Sequence, residues 1–169
     1  MNREEIRAAQ LPLKERYKAQ PEAAYLTLRA TGSLGENVTC SVETGRAMVE
    51  AGLHPATGGD GMSVCAGDML LQALVACAGV TLSAVATSLG IALRGASLTA
   101  DGDLDFRGTL GVAKEVPVGF KRIRLVIDLD TEASASERAK LIELTERYCV
   151  VYQTLVRSPQ TSVEARQVG

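Results

Sequence analysis

The 169-residue chain has a single histidine, His54, and no pair of cysteines at CxxC spacing. A histidine-dependent triad therefore has one candidate and no evident serine partner. Neither a zinc-binding nor a thioredoxin-type motif is present. Basic residues form no run beyond Lys121 to Arg124 and the formal net charge is -2, which argues against a nucleic-acid surface. The N-terminus, MNREEIRAAQ, is charged where a secretory leader needs an apolar stretch, so the expected compartment is the cytosol. There the four cysteines, Cys40, Cys65, Cys77 and Cys149, should be mostly reduced, as packing residues, reactive thiols or both. A composition of 46% hydrophobic and 22% charged residues marks a globular chain, and the length suits one domain with a substantial core.

What is present is one long uncharged run. Residues Asp68 to Leu89 read DMLLQALVACAGVTLSAVATSL, with no proline, no charge after Asp68, and Cys77 near the middle. An exposed helix backs its apolar stripe with charge; this segment is apolar or small on nearly every side, which predicts a helix buried within a core. A membrane span has the same length. Gln72, Thr81, Ser83, Thr87 and Ser88 interrupt the run, and no basic cluster or aromatic belt flanks it. Asp68 in the first turn and Gly90 just beyond the end mark the termini as a soluble helix would.

Around this helix the period of the sequence changes. Residues 2–20 alternate charges with Ile6, Leu11, Leu13 and Tyr17 and predict a helical arm broken near Pro12, with residues 21–169 as the domain proper. Leu26, Leu28 and Ala30, then Val38, Cys40 and Val42, alternate with polar residues about a turn at Gly32 to Gly35, predicting a hairpin with Cys40 on its apolar face. A third short strand is expected at Arg46 to Glu50. The Gly-rich loop from Leu53 to Gly61 carries backbone N–H groups suited to an anion, without a phosphate-loop or dinucleotide pattern. Extended chain is expected from Leu98 to Phe106 with a turn at Asp101-Gly102-Asp103, and a half-buried strand over Lys121 to Asp128 with Arg122 and Arg124 on its wet face. A helix begins at Ser134, completed by Glu137 as a capping box, and delivers Cys149 to its end. Val150 to Val156 suits a short helix and Thr161 to Gln167 a closing strand. Antiparallel strand groups with two principal helices make an α+β domain.

Four stretches then carry a resemblance: GGDG at Gly58 to Gly61, LLQALVACAGVTLSAVA around Cys77, DLDFRGTLGV from Asp103 to Val112, and VGFKRIRLVIDL followed by RYCVVYQTL around Cys149. In this order and spacing the chain, from about residue 24 to 167, resembles the OsmC/Ohr family of osmotically inducible protein C and organic hydroperoxide resistance proteins. The resemblance implies an intertwined homodimer in which antiparallel sheets from both subunits enclose the central helices. It implies a thiol-dependent peroxidase for organic hydroperoxides, with Cys77 peroxidatic and Cys149 resolving. It also implies an external dithiol reductant, such as a lipoylated protein, and no bound metal or organic cofactor. The family's thiol is activated by an arginine from the first hairpin and a glutamate early in the helix. Those positions fall near Leu34, with Arg29 the nearest arginine, and on Gly67, with Asp68 beside it; Arg147 is a further candidate.

Peroxide chemistry asks for such a pair. A thiolate opens the O–O bond, becomes a sulfenic acid and condenses with a second thiol. The two Cα atoms must come within about 7 Å. Cys65 and Cys77, if on one continuous helix, stand about 18 Å apart, too far for a direct bond. Cys65, placed where a helix dipole lowers a thiol pKa, is a second redox candidate or a small residue at a helix entry. The competing functions are a non-catalytic dimer that binds a small apolar ligand and, more distantly, a metal site formed from His54, Cys65, Cys77 and Cys149.

Overall fold

A computed structural model describes residues 2–5, 7, 8, 10, 19, 20, 32–34, 39–43, 48–111 and 113–167, with 32–34 and 39–43 described as backbone only. The N-terminal arm is helical at 3–5, 7, 8 and 10, where the Asn2 and Glu5 side chains each accept the other's backbone N–H at 2.9 Å. The break predicted at Pro12 and the activating candidate Arg29 lie outside the described residues.

Strands β1 (Gly32–Leu34), β2 (Thr39–Glu43), β3 (Met48–Gly52) and β4 (Val64–Cys65) form one sheet in that order. β1 and β2 pair antiparallel with Leu34 opposite Cys40, so the segment expected to turn at Gly32 to Gly35 is strand through Leu34. Glycine and serine impose no conformation of their own, and sheet pairing overrides their turn preference. β3 begins two residues later than expected, runs antiparallel to β2, and makes a short parallel pairing with β4.

The central helix, α1 (Ala66–Leu89), follows β4 directly. Asp68 lies in its first turn, and Gly90 closes it in the left-handed region at φ 74°, its N–H reaching the carbonyls of Ala86 and Thr87. By length and apolarity this helix would also cross a bilayer. Within the fold it is a core helix, covered on one side by the described residues of this chain. Leu74, Ala78, Leu82 and Ala86 form its buried stripe, at spacings of four residues, while Val80 on another face is 73% exposed.

Strands β5 (Gly95–Asp103) and β6 (Arg122–Asp130) make a second, antiparallel sheet, with Gly95 opposite Asp130 and Asp103 opposite Arg122. The predicted turn at Asp101-Gly102-Asp103 is strand. Two contacts explain the difference. Asp103 accepts from Arg122 Nε at 3.0 Å and from both terminal nitrogens of Arg124, which holds its carboxyl below the usual range. At Gly102 the Phe120 ring packs so close that a Cβ would stand 2.3 Å from it. The arginines are therefore ion-paired rather than merely solvated. Between the strands a single helical turn, α2 (Phe106–Thr109), is capped by Asp105.

Helix α3 (Ala135–Tyr148) has the expected capping box between Ser134 and Glu137. Its Leu141 is fully buried against Leu82 and Ala86, with Ile127, Leu129 and Ile142 around them. Short α4 (Val150–Val156) follows at once, and Cys149 is both the last cap of α3 and the first of α4. Residues 161–167 form no strand: Val163 is 99% exposed, and Glu164 instead pairs locally with Arg166.

Candidate active site

The abrupt change of direction between α3 and α4 decides where the second thiol goes. Cys149 takes an extended backbone, φ -73° and ψ 108°, which ends one helix and starts the next within one residue. Its N–H still donates to the Thr145 carbonyl at 2.9 Å, and its own carbonyl accepts from Gln153 N–H at 2.9 Å. The side chain is 1% exposed, in a cluster with Leu74 and Ala78, and Cys77 packs against that cluster. The fold thus brings together two thiols seventy-two residues apart in sequence, both free.

The environment of the pair is unequal. Burial alone would push the Cys77 thiol up. Hydrogen bonds to its sulfur from the Val151 N–H, the Cys149 thiol, the Val150 N–H and the Thr81 hydroxyl outweigh it, and the net effect is downward. The single Thr81 proton is already given to the Cys77 carbonyl at 2.8 Å, so the sulfur's effective donors are the two amides and Cys149. Those amides belong to the first turn of α4, where no intrahelical acceptor exists for them. Cys149 moves the other way. Burial pushes its thiol up, and donating to the Cys77 sulfur and facing its negative charge raise it further, against partial relief from the Tyr152 and Val151 amides. One thiol is shifted toward ionisation and its neighbour away from it, so the two are chemically unequal.

The charged candidates lie elsewhere. Arg147 is exposed, with its guanidinium 5.5 Å from the centre of the Tyr148 ring. Asp68 lines a cavity of about 370 Å³ at the start of α1, together with Cys65, His54, Asp103, Phe106 and Phe120. Cys65 occupies the N-cap of α1 without a side-chain hydrogen bond. His54 caps a 3-10 turn over Pro55–Thr57, its Nδ1 accepting the Ala56 N–H at 3.0 Å and its ring stacked on Phe106 at 4.9 Å. His54 and Cys65 thus form a group apart from Cys77 and Cys149, and among the described residues no set of three or more His, Cys, Asp or Glu side chains is arranged to hold a metal ion.

The sequence reading missed the α4 amides. Their signal was present: Val150 to Val156, suited to a short helix, follows Cys149 directly, with no linker, so its first amides fall beside the thiol.

A second cavity, of about 320 Å³, opens beside Cys149 between β6 and α3. Its lining includes Ala78, Cys149, Ile123, Leu125, Ile127 and Ile142, and Glu146 is the one charged residue among the lining.

No curated protein matches this sequence. Solved structures share the fold at low identity. An OsmC-like protein from Mycoplasma pneumoniae superposes with a TM-score of 0.66 at 18% identity, covering 79% of this chain and 89% of that one. An organic hydroperoxide resistance protein OsmC from Legionella pneumophila gives 0.61 at 20%, covering 80% and 92%. An organic hydroperoxide resistance protein from Elizabethkingia anophelis gives 0.61 at 19%, covering 80% and 91%. The model of the OsmC-like protein family matches residues 58–164, which take in α1, the β5–β6 sheet, α3 and the cysteine pair, and the chain belongs to that family.

Proposed function

We propose that this protein is a thiol-dependent peroxidase for organic hydroperoxides, with Cys77 attacking and Cys149 resolving. The observation that carries the reading is the packing of Cys77 against the buried cluster that holds Cys149, two free thiols brought together at the α3–α4 junction. Family membership and the hydroperoxide resistance proteins among the structural neighbours support it. The Cys77 thiolate attacks one oxygen of ROOH, the O–O bond breaks, and with one proton the products are the alcohol ROH and a Cys77 sulfenic acid. The Cys149 thiol then attacks the oxidised sulfur, forming the Cys77–Cys149 disulfide and releasing water. An external dithiol, of the lipoyl type, returns both thiols and leaves as its own disulfide.

Titration with cumene hydroperoxide tests this directly. Loss of both thiols of the pair, abolished in Cys77→Ser, is the expected result; thiols unchanged after equimolar peroxide would overturn it. The non-catalytic reading has one observation in its favour, because every effective donor on the Cys77 sulfur is uncharged. The same titration separates the two.

The assembly we infer is a homodimer in the cytosol. Its motive is the face of α1 opposite the buried stripe, where Ala73, Ala76 and Val80 are exposed, Val80 to 73%. Sedimentation of the purified chain at a monomer's mass would remove this inference while leaving the thiol chemistry intact.

A further inference from the structure

We propose that Gln153 is a positioning residue: its side-chain amide takes the place of the Val150 N–H on the Glu146 carbonyl, holding the α3–α4 junction bent so that α4 stays folded over the Cys149 thiol. The inference rests on the Cys77–Cys149 pairing of the reading above and adds the group that keeps the second thiol enclosed. In an unbroken helix each N–H donates to the carbonyl four residues back. Helix α3 keeps this series through Cys149, whose N–H donates to the Thr145 carbonyl at 2.9 Å. The next bond in the series runs from Val150 N–H to the Glu146 carbonyl, and among the described residues it is not made. The cause is ψ at Cys149, which is 108°, about 150° from the helical value, and which sets where the following N–H points.

The Glu146 carbonyl is nevertheless occupied. Gln153 Nε2 donates to it at 2.8 Å, while the Gln153 backbone N–H donates to the Cys149 carbonyl at 2.9 Å. One residue thus ties both sides of the bend. The two donors exclude each other. Seven residues of straight helix set Glu146 and Gln153 about 10.5 Å apart along the axis, beyond the reach of a glutamine side chain. The Gln153 bond therefore exists only in the bent junction and the Val150 bond only in the straight one, so removing the first shifts the balance toward the second. A straight junction would carry α4 off along the α3 axis. Val151, Tyr152 and Leu155, which pack against the cluster of Leu74, Ala78 and Cys149, would then leave it, and the thiol would open to solvent.

Iodoacetamide labelling of Cys149 in the full-length reduced protein reads this balance, because a thiol that is 1% exposed is alkylated through opened molecules. Followed by mass spectrometry at fixed pH, the Cys149 rate rises about fivefold in Gln153→Leu, the worth of one ordinary hydrogen bond. Gln153→Glu, whose ionised carboxylate cannot donate, raises it as well, and Gln153→Lys, which keeps a donor on a long side chain, returns it toward the wild-type rate. Val150→Pro removes the competing N–H, and the ring clashes with the carbonyl four residues back, so the straight junction is forbidden. In that background, adding Gln153→Leu changes the rate by no more than about twofold. An unchanged rate in Gln153→Leu, no recovery in Gln153→Lys, or a leucine effect undiminished in the Val150→Pro background would overturn the inference. Should Gln153→Leu fail to fold by circular dichroism, the comparison of Gln153→Glu with Gln153→Lys carries the test. No peroxide enters these measurements. Thiols inert to cumene hydroperoxide therefore remove the peroxidase reading, whereas labelling indifferent to the donor at position 153 removes only the positioning role.

Discussion

Cys65 and Cys77 stand twelve residues apart along one helix and differ in what reaches their sulfurs. Cys65 has the N-terminus of its own long helix and no side-chain cap hydrogen bond. Cys77 lies in the middle of that helix, where the helix offers it no free amide, yet the α3–α4 junction sets the Cys149 thiol against it. The difference teaches that tertiary packing, not place along a helix, decides which thiol acquires a thiol neighbour. Here that neighbour comes from a segment far along the chain.

That contrast can be broken by substitution. The largest effect belongs to Cys77→Ser, which should abolish peroxide-dependent loss of thiols entirely, measured by thiol counting after cumene hydroperoxide. Cys149→Ser comes next: oxidation should stop at the Cys77 sulfenic acid, trapped by dimedone and seen as a mass increase on the peptide containing Cys77. Val150→Pro is more selective, because proline at the first position of a helix is well tolerated and removes only the amide. It should raise the Cys77 pKa and lower its alkylation rate at neutral pH by a few-fold with an unchanged circular dichroism spectrum; an unaltered rate would show that the Val150 amide is no donor. In the wild-type protein, iodoacetamide labelling against pH should give Cys77 a midpoint below that of an ordinary cysteine and Cys149 one above it. The order follows from the downward shift of the first and the upward shift of the second, and a reversed order would refute the assignment of roles. The smallest effect is expected at the other end of the helix, where Cys65→Ser should leave the extent of peroxide-dependent disulfide formation as it is.

Much of this architecture was legible in the sequence, where the signals are local. The helix ends at Gly90 and Ser134 followed from residues with one strong conformational preference, and the period-two run through Ile123, Leu125 and Ile127 marked β6. The errors came where a local signal met a distant partner. Asp101-Gly102-Asp103 has turn composition, but the arginines of β6 and the ring of Phe120 hold it extended. Residues 161–167 alternate as a strand would and find no pairing partner among the described residues. Cys77 was visible as a thiol on an apolar helix, and the juxtaposition with Cys149 rested on family resemblance, since no spacing rule spans so much chain. The helix is apolar on nearly every side, and among the described residues the face toward β5, β6, α3 and α4 is the filled one; covering the rest was the part expected of a second subunit.

Cys149 is also a joint, the one residue at which α3 gives way to α4. A covalent link from that joint to the middle of α1 would tie the chain into a ring of more than seventy residues, and a ring of that size removes roughly 4 kcal/mol of freedom from the unfolded polymer. The oxidised form would then be the sturdier one. Heat or urea would sort spent molecules from fresh ones by their endurance, giving a readout of turnover that needs no coloured reagent.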